Sequence, residues 1–198
     1  MPIKDKYRSF AELSQAERAG VDFRVYVRRT LERVAIIAPH GGKIEPGTSE
    51  IAAAIAGHAY SLYCFEGLKR RRGADLHITS TRFDEPRCLN LVSGCDHIVA
   101  VHGCRGRNPR VFLGGRDDDL RDAIRDRLEA AGFRTDFHTN RALQGVDPNN
   151  ICNRGHRGRG VQLEMTRGLR EAITDGKGDQ AMIDLVSALR SAIEASKG

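Results

Sequence analysis

Residues 34–51 constrain what this chain can fold into more than any other stretch. Val34, Ala35, Ile36, Ile37 and Ala38 form an unbroken run of small and β-branched apolar side chains, the pattern of a strand buried on both faces of a sheet. Pro39 has no N–H to donate and is expected to end the ladder. His40 then projects from the carboxyl end of a central strand, with Gly41 and Gly42 beside it so that the backbone can turn tightly. Glu45 follows in the same loop, Thr48 and Ser49 offer helix caps, and Ile51 and Ile55 start a helical stripe. Strand, loop and helix in that order are how open α/β sheets build sites, and His40 and Glu45 are expected to hold a metal.

The rest of the chain supplies the layers for such a sheet. Ser9 and Glu12 read as a capping box that opens a helix closed by Gly20. Residues 22–28 alternate apolar and polar, a half-exposed strand near a sheet edge. A helix over 49–59 leads to a strand over 61–66, a basic turn (Lys69, Arg70, Arg71, Arg72), a strand over 75–79 and a short helix over 86–92. His97, Ile98, Val99, Ala100 and Val101 form a second apolar run, ending in His102 and Gly103. A strand over 110–113 follows. Asp117 then caps a helix whose Leu120, Ile124 and Leu128 share a face, with Gly132 at its end. Residues 134–138 return to the sheet, 139–160 form a long irregular loop, 160–164 make a last strand, and 179–195 a closing amphipathic helix. With 198 residues and no linker or internal repeat, one α/β domain with a mixed, mostly parallel sheet and helices on both faces is the expected architecture, over residues 1–198.

Composition narrows the function classes. No apolar run approaches the roughly 20 residues of a membrane span, and Met1 to Phe10 lack the apolar core of a signal peptide. The expected location is cytoplasmic, or outside the cell after lysis. The net charge of +6 favours an anionic partner without choosing among nucleic acid, membrane surface and acidic substrate. The five cysteines contain no Cys-x-x-Cys pair, which argues against a zinc knuckle and against a disulfide framework.

Both apolar runs end in His-Gly, and a third strand carries Glu164. In a mostly parallel sheet the carboxyl ends share one edge, so His40, His102 and Glu164 can converge from distant positions. Two histidines, one carboxylate and an open position describe a hydrolytic zinc site, with a further carboxylate as general base. Glu45 and Glu164 can fill those two roles.

His40 to Thr48, with Phe83-Asp84-Glu85-Pro86, Val101-His102-Gly103 and Val161-Gln162-Leu163-Glu164, resemble the phage-type poly-γ-glutamate hydrolases, whose relatives are sometimes labelled phage-related replication proteins. The resemblance implies a carboxypeptidase-like α/β domain with one zinc, His40, Glu45 and His102 as its ligands and Glu164 as the catalytic glutamate. It implies hydrolysis of γ-glutamyl amide bonds by a zinc-activated water. A polyglutamate substrate would need arginines, the side chain suited to bidentate carboxylate capture: Arg105 and Arg107 after His102, then Asn153, Arg154, Arg157 and Arg159 in the long loop. Asn153-Arg154 also resembles the pair with which carboxypeptidases hold a terminal carboxylate. Two other readings stay open: hydrolysis of small N-acyl or γ-glutamyl amino acids, and nucleic-acid binding through residues 69–72 and the Arg-Gly run near 154–160. The latter is disfavoured by 6% aromatic content and the lack of any recognised nucleic-acid motif.

Overall fold

The two apolar runs become neighbouring strands at the middle of one sheet. The computed structural model describes residues 5–175 and 179–197, so the first four of the residues screened for a leader lie outside it. Its strands are β1 (Phe23–Arg28), β2 (Val34–Gly42), β3 (Ser61–Gly67), β4 (His97–Cys104), β5 (Val111–Gly115), β6 (Thr135–Phe137) and β7 (Val161–Thr166). They form a seven-stranded sheet in the order β1-β3-β2-β4-β7-β5-β6. β3, β2, β4 and β7 are parallel, β1 is antiparallel at the edge, and the parallel pair β5–β6 joins β7 in antiparallel fashion. The chain leaves β2 toward β3 on one side and leaves β4 toward β7 on the other. The gap between the carboxyl ends of β2 and β4 is therefore the topological switch point, where open α/β sheets place ligands.

Alternation along β2 explains why its sequence is apolar throughout. Val34, Ile36 and Ala38 pack into one core layer, Ala35 and Ile37 into the other. The first layer is closed by α2 (Thr48–Ala56), α4 (Asp118–Ala130), α5 (Arg167–Thr174) and α6 (Asp179–Ala195); the second is closed by α1 (Phe10–Ala16), α3 (Pro86–Val92) and short 3₁₀ turns. None of the described helices is long and apolar enough to cross a membrane. All five cysteines are free, four of them buried.

Local expectations were met unevenly. Pro39 does not end β2: the ladder to β4 stops at Ile37, but pairing with β3 resumes at Gly41 and Gly42 after a register shift, so Pro39 and His40 occupy an irregularity inside the strand. α2 starts from Gly47 in the left-handed region, without a side-chain cap, and the Thr48 hydroxyl instead donates to the Glu45 carbonyl. Residues 75–79 are not a strand; a 3₁₀ turn, Gly73–Leu76, takes their place. α5 has no periodic signal in the sequence, because only Leu169 and Ile173 carry its apolar face.

Glu17, just past α1, gathers Tyr7, Lys6 and Lys69 around one carboxylate. Burial pushes that carboxyl up, but hydrogen bonds from Lys69, Tyr7 and Lys6 outweigh it and hold the group at about 2, below the usual 4.5. A lowered folded value gives stability that is present above the unfolded pKa and is lost as pH falls through the folded one. Urea midpoints followed from about pH 5 down to about pH 2 should fall less in Glu17→Gln than in the parent chain. Equal slopes would show that this cluster does not govern acid stability.

Candidate metal centre

The irregularity in β2 turns the His40 ring under the sheet edge, where it meets β4. The two Nδ1 atoms of His40 and His102 lie 3.1 Å apart. Glu45 reaches back from its loop, with Oε1 3.3 Å from His40 Nδ1 and Oε2 3.8 Å from His102 Nδ1. Around a tetrahedral zinc with bonds near 2.0–2.1 Å, donor atoms stand about 3.3 Å from one another. The three separations bracket that value, so the donor set fits such an ion. Both imidazoles are 2% exposed and the Glu45 side chain 11%.

The surroundings fix the ligand atoms. His40 Nε2 donates to the Ile78 carbonyl at 2.8 Å, which fixes the ring with Nδ1 turned toward His102 and Glu45. The Gly103 N–H donates to Glu45 Oε2 at 2.8 Å. Burial and the neighbouring positive His40 push His102 down to about 3, whereas Glu45 outweighs burial and raises His40. Glu45 itself is held at about 2, because the two imidazoles and the Gly103 amide overcome its desolvation.

His77 is a neighbour that sequence reasoning missed. One donor atom each of His40, Glu45 and His77 also lie within 4.8 Å of one another. Its ring, however, lies over that of His40 at 4.0 Å with a 33° tilt, and stacked rings direct in-plane lone pairs alongside one another rather than to a common point. The His40 and His102 rings stand at 65°. His77 Nδ1 is held by Asp5 at 2.6 Å, and the same carboxylate accepts from the Thr79 amide and from Arg82.

Glu164 lies directly beside His102 in the β4–β7 register, on the same face. It is 4% exposed, and burial, reinforced by the nearby Glu45 charge, pushes its carboxyl well up. Gln162, two residues earlier and therefore on the same face, donates to Glu164 Oε1 at 3.1 Å; Asn150 in turn donates to Gln162 at 2.8 Å. Arg170 on α5 brings a positive charge into the field of both Glu45 and Glu164. Its guanidinium donates to the carbonyls of Met165, Cys104 and Pro46, tying the ends of β7 and β4 to the Glu45 loop. A Cβ on Gly103 would lie 2.5 Å from the Arg170 Cζ, which is why the β4 motif is His-Gly. Gly103→Ala should displace this clasp and destabilise the fold by about 1–3 kcal/mol, read as a lower urea midpoint; an unshifted midpoint would refute the packing argument.

This arrangement of the sheet and its edge has close relatives. A family model described as poly-gamma-glutamate hydrolase matches residues 7–181. The chain belongs to the poly-γ-glutamate hydrolase family. The Bacillus subtilis (strain 168) protein YndL is 37% identical over 171 residues, 86% of this chain and 67% of YndL. YmaC from the same strain is 38% identical over 173 residues, 86% of this chain and 73% of YmaC. Among solved structures, a bacteriophage poly-γ-glutamate hydrolase superposes with a TM-score of 0.92 at 32% identity, covering 98% of this chain and 99% of that one. A zinc-free apo form of YndL gives 0.91 at 32% identity over the same shares.

The basic residues read from the sequence divide in this member of the poly-γ-glutamate hydrolase family. Arg105 and Arg107 are exposed on the loop that follows β4, at the carboxyl edge of the sheet. Three of the other four candidates are engaged elsewhere. Asn153 is buried and spends its amide on the carbonyls of Gly145 and Asp147 and on the Gly160 N–H. Arg157 and Arg159 pair with Asp117, and Arg157 also contacts His97, the first residue of β4. His97 and His102 are five steps apart along a strand, about 16 Å. Arg154 is exposed in the same segment, whose His156 amide donates to the Cys95 carbonyl just before β4. The physical reason is direction. β7 runs parallel to β4, so the residues leading into it lie at the amino edge, opposite the centre.

Proposed function

We propose that the protein is a zinc-dependent hydrolase of γ-glutamyl amide bonds, acting on poly-γ-glutamate, with His40, Glu45 and His102 holding the metal and Glu164 as general base and acid. The observation that carries this reading is the convergence of two imidazole Nδ1 atoms and one carboxylate at separations of 3.1, 3.3 and 3.8 Å. Family membership supports the substrate class. Zinc in that position would act as a Lewis acid toward the amide carbonyl and lower the pKa of water.

The chain's own residues supply the remainder. Glu164, as the carboxylate, takes a proton from the attacking water and, once protonated, delivers it to the departing amine nitrogen. Gln162 orients the Glu164 carboxylate through Oε1, and Gly103 does the same for Glu45. Arg105 and Arg107 bind the free α-carboxylates that every γ-linked residue presents. Arg170 ties the ends of β4 and β7 to the Glu45 loop through three backbone carbonyls.

Chelator treatment should abolish hydrolysis of poly-γ-glutamate, and added zinc should restore it, with elemental analysis finding one zinc per chain. Hydrolysis that survives chelation would overturn the proposal.

A further inference from the structure

The basic turn at residues 69–72 takes no part in the centre described above, yet the fold holds it against that centre. The Lys43 amide donates to the Gly67 carbonyl at 2.8 Å, and Gly73 lies so close under the Lys43 carbonyl that a side chain there has no room. Both ends of the turn are thus fastened to the loop carrying Glu45. A few residues further on, the same segment places His77 over His40. β3 and β4 pair with opposite sides of β2, so the turn after β3 and the Arg105–Arg107 loop after β4 stand on opposite flanks of the centre, at one sheet edge.

The turn keeps its charge available. Arg70 and Arg71 are exposed, and among the described residues neither is paired with a carboxylate. Lys69 is engaged by Glu17, and Arg72 by an exposed pair with Asp75 at 2.9 Å, of the kind that contributes little. Arg72 is also the one described non-glycine residue with positive φ, at +60°. An L side chain there is strained by roughly 1 kcal/mol, although a glycine stands next door and would fit without strain. Strain kept beside a functional centre points to a use for the side chain.

The geometry points to the turn at residues 69–72 as a second anion-binding subsite, which takes distal α-carboxylates of a γ-linked polyglutamate chain lying across the centre from the Arg105 side. This rests on the hydrolase reading and deepens it: the turn would set a preference for long chains over short ones. Carboxylates fit better than nucleic acid, since the turn carries no aromatic side chain on which a base could stack.

The test uses the full chain with Arg70→Ser, Arg71→Ser and Arg72→Gly combined. Gly relieves the strained position, so the variant should fold at least as well. Binding is measured in a Glu164→Gln background without added zinc, where turnover is slow, to poly-γ-glutamate, to a γ-linked triglutamate and to a DNA oligonucleotide of matched charge. The substitutions should weaken polymer binding about tenfold relative to the trimer, with the difference shrinking as salt rises. Equal effects on polymer and trimer, no effect on either, or a loss confined to DNA would overturn the subsite. Failure of the hydrolase reading shows separately, as absence of turnover by the zinc-loaded parent chain.

Discussion

Glu164→Gln is expected to lower kcat on poly-γ-glutamate by roughly 10²- to 10⁴-fold, the usual contribution of a positioned proton-transfer group. The amide is nearly isosteric and keeps the contact with Gln162, so the β7 strand and the His40–Glu45–His102 cluster stay in place. Zinc content should match that of the parent chain. The substitution also replaces a buried carboxyl that sits close to the charge of Glu45. Stability near neutral pH should therefore hold or rise, which separates a chemical defect from a folding one. Full turnover in the variant would transfer the base role to another group and sink the assignment.

The second large effect concerns the ligands. His102→Ala should weaken zinc binding by at least roughly 100-fold, since one of three protein ligands is lost from a site whose total binding free energy is on the order of 10–16 kcal/mol in comparable structural sites. His77→Ala is the control. As a residue that stacks on a ligand and is itself held by Asp5, it should cost less, on the order of tenfold. Competition against a fluorescent zinc chelator measures both. If His77→Ala proves the more damaging, the ligand set is His40, Glu45 and His77.

The centre was legible where chemistry followed strand direction. His40 and His102 each end an apolar run, and parallel strands bring their ends together whatever lies between them in sequence. Glu164 followed from the same rule. The rule fails for side chains placed by the packing of elements with weak patterns. Arg170 lies on a two-turn helix with little apolar periodicity, and only its closeness to Gly103 reveals its part. His77 was read as belonging to a strand interior; it sits instead in irregular chain whose course is set by Asp5, 72 positions away. Asn153, Arg157 and Arg159 make their contacts near the opposite edge, because the direction of a long loop is set by the strand it feeds.

Asp5 gives the amino-terminal segment a reach that its distance in sequence hides. One carboxylate there fastens the imidazole stacked on His40, the Thr79 amide and Arg82. Tags, fusions or trimming near that residue are therefore interventions in the neighbourhood of the candidate centre, and they reach the His40 ring through His77 while every strand stays in register.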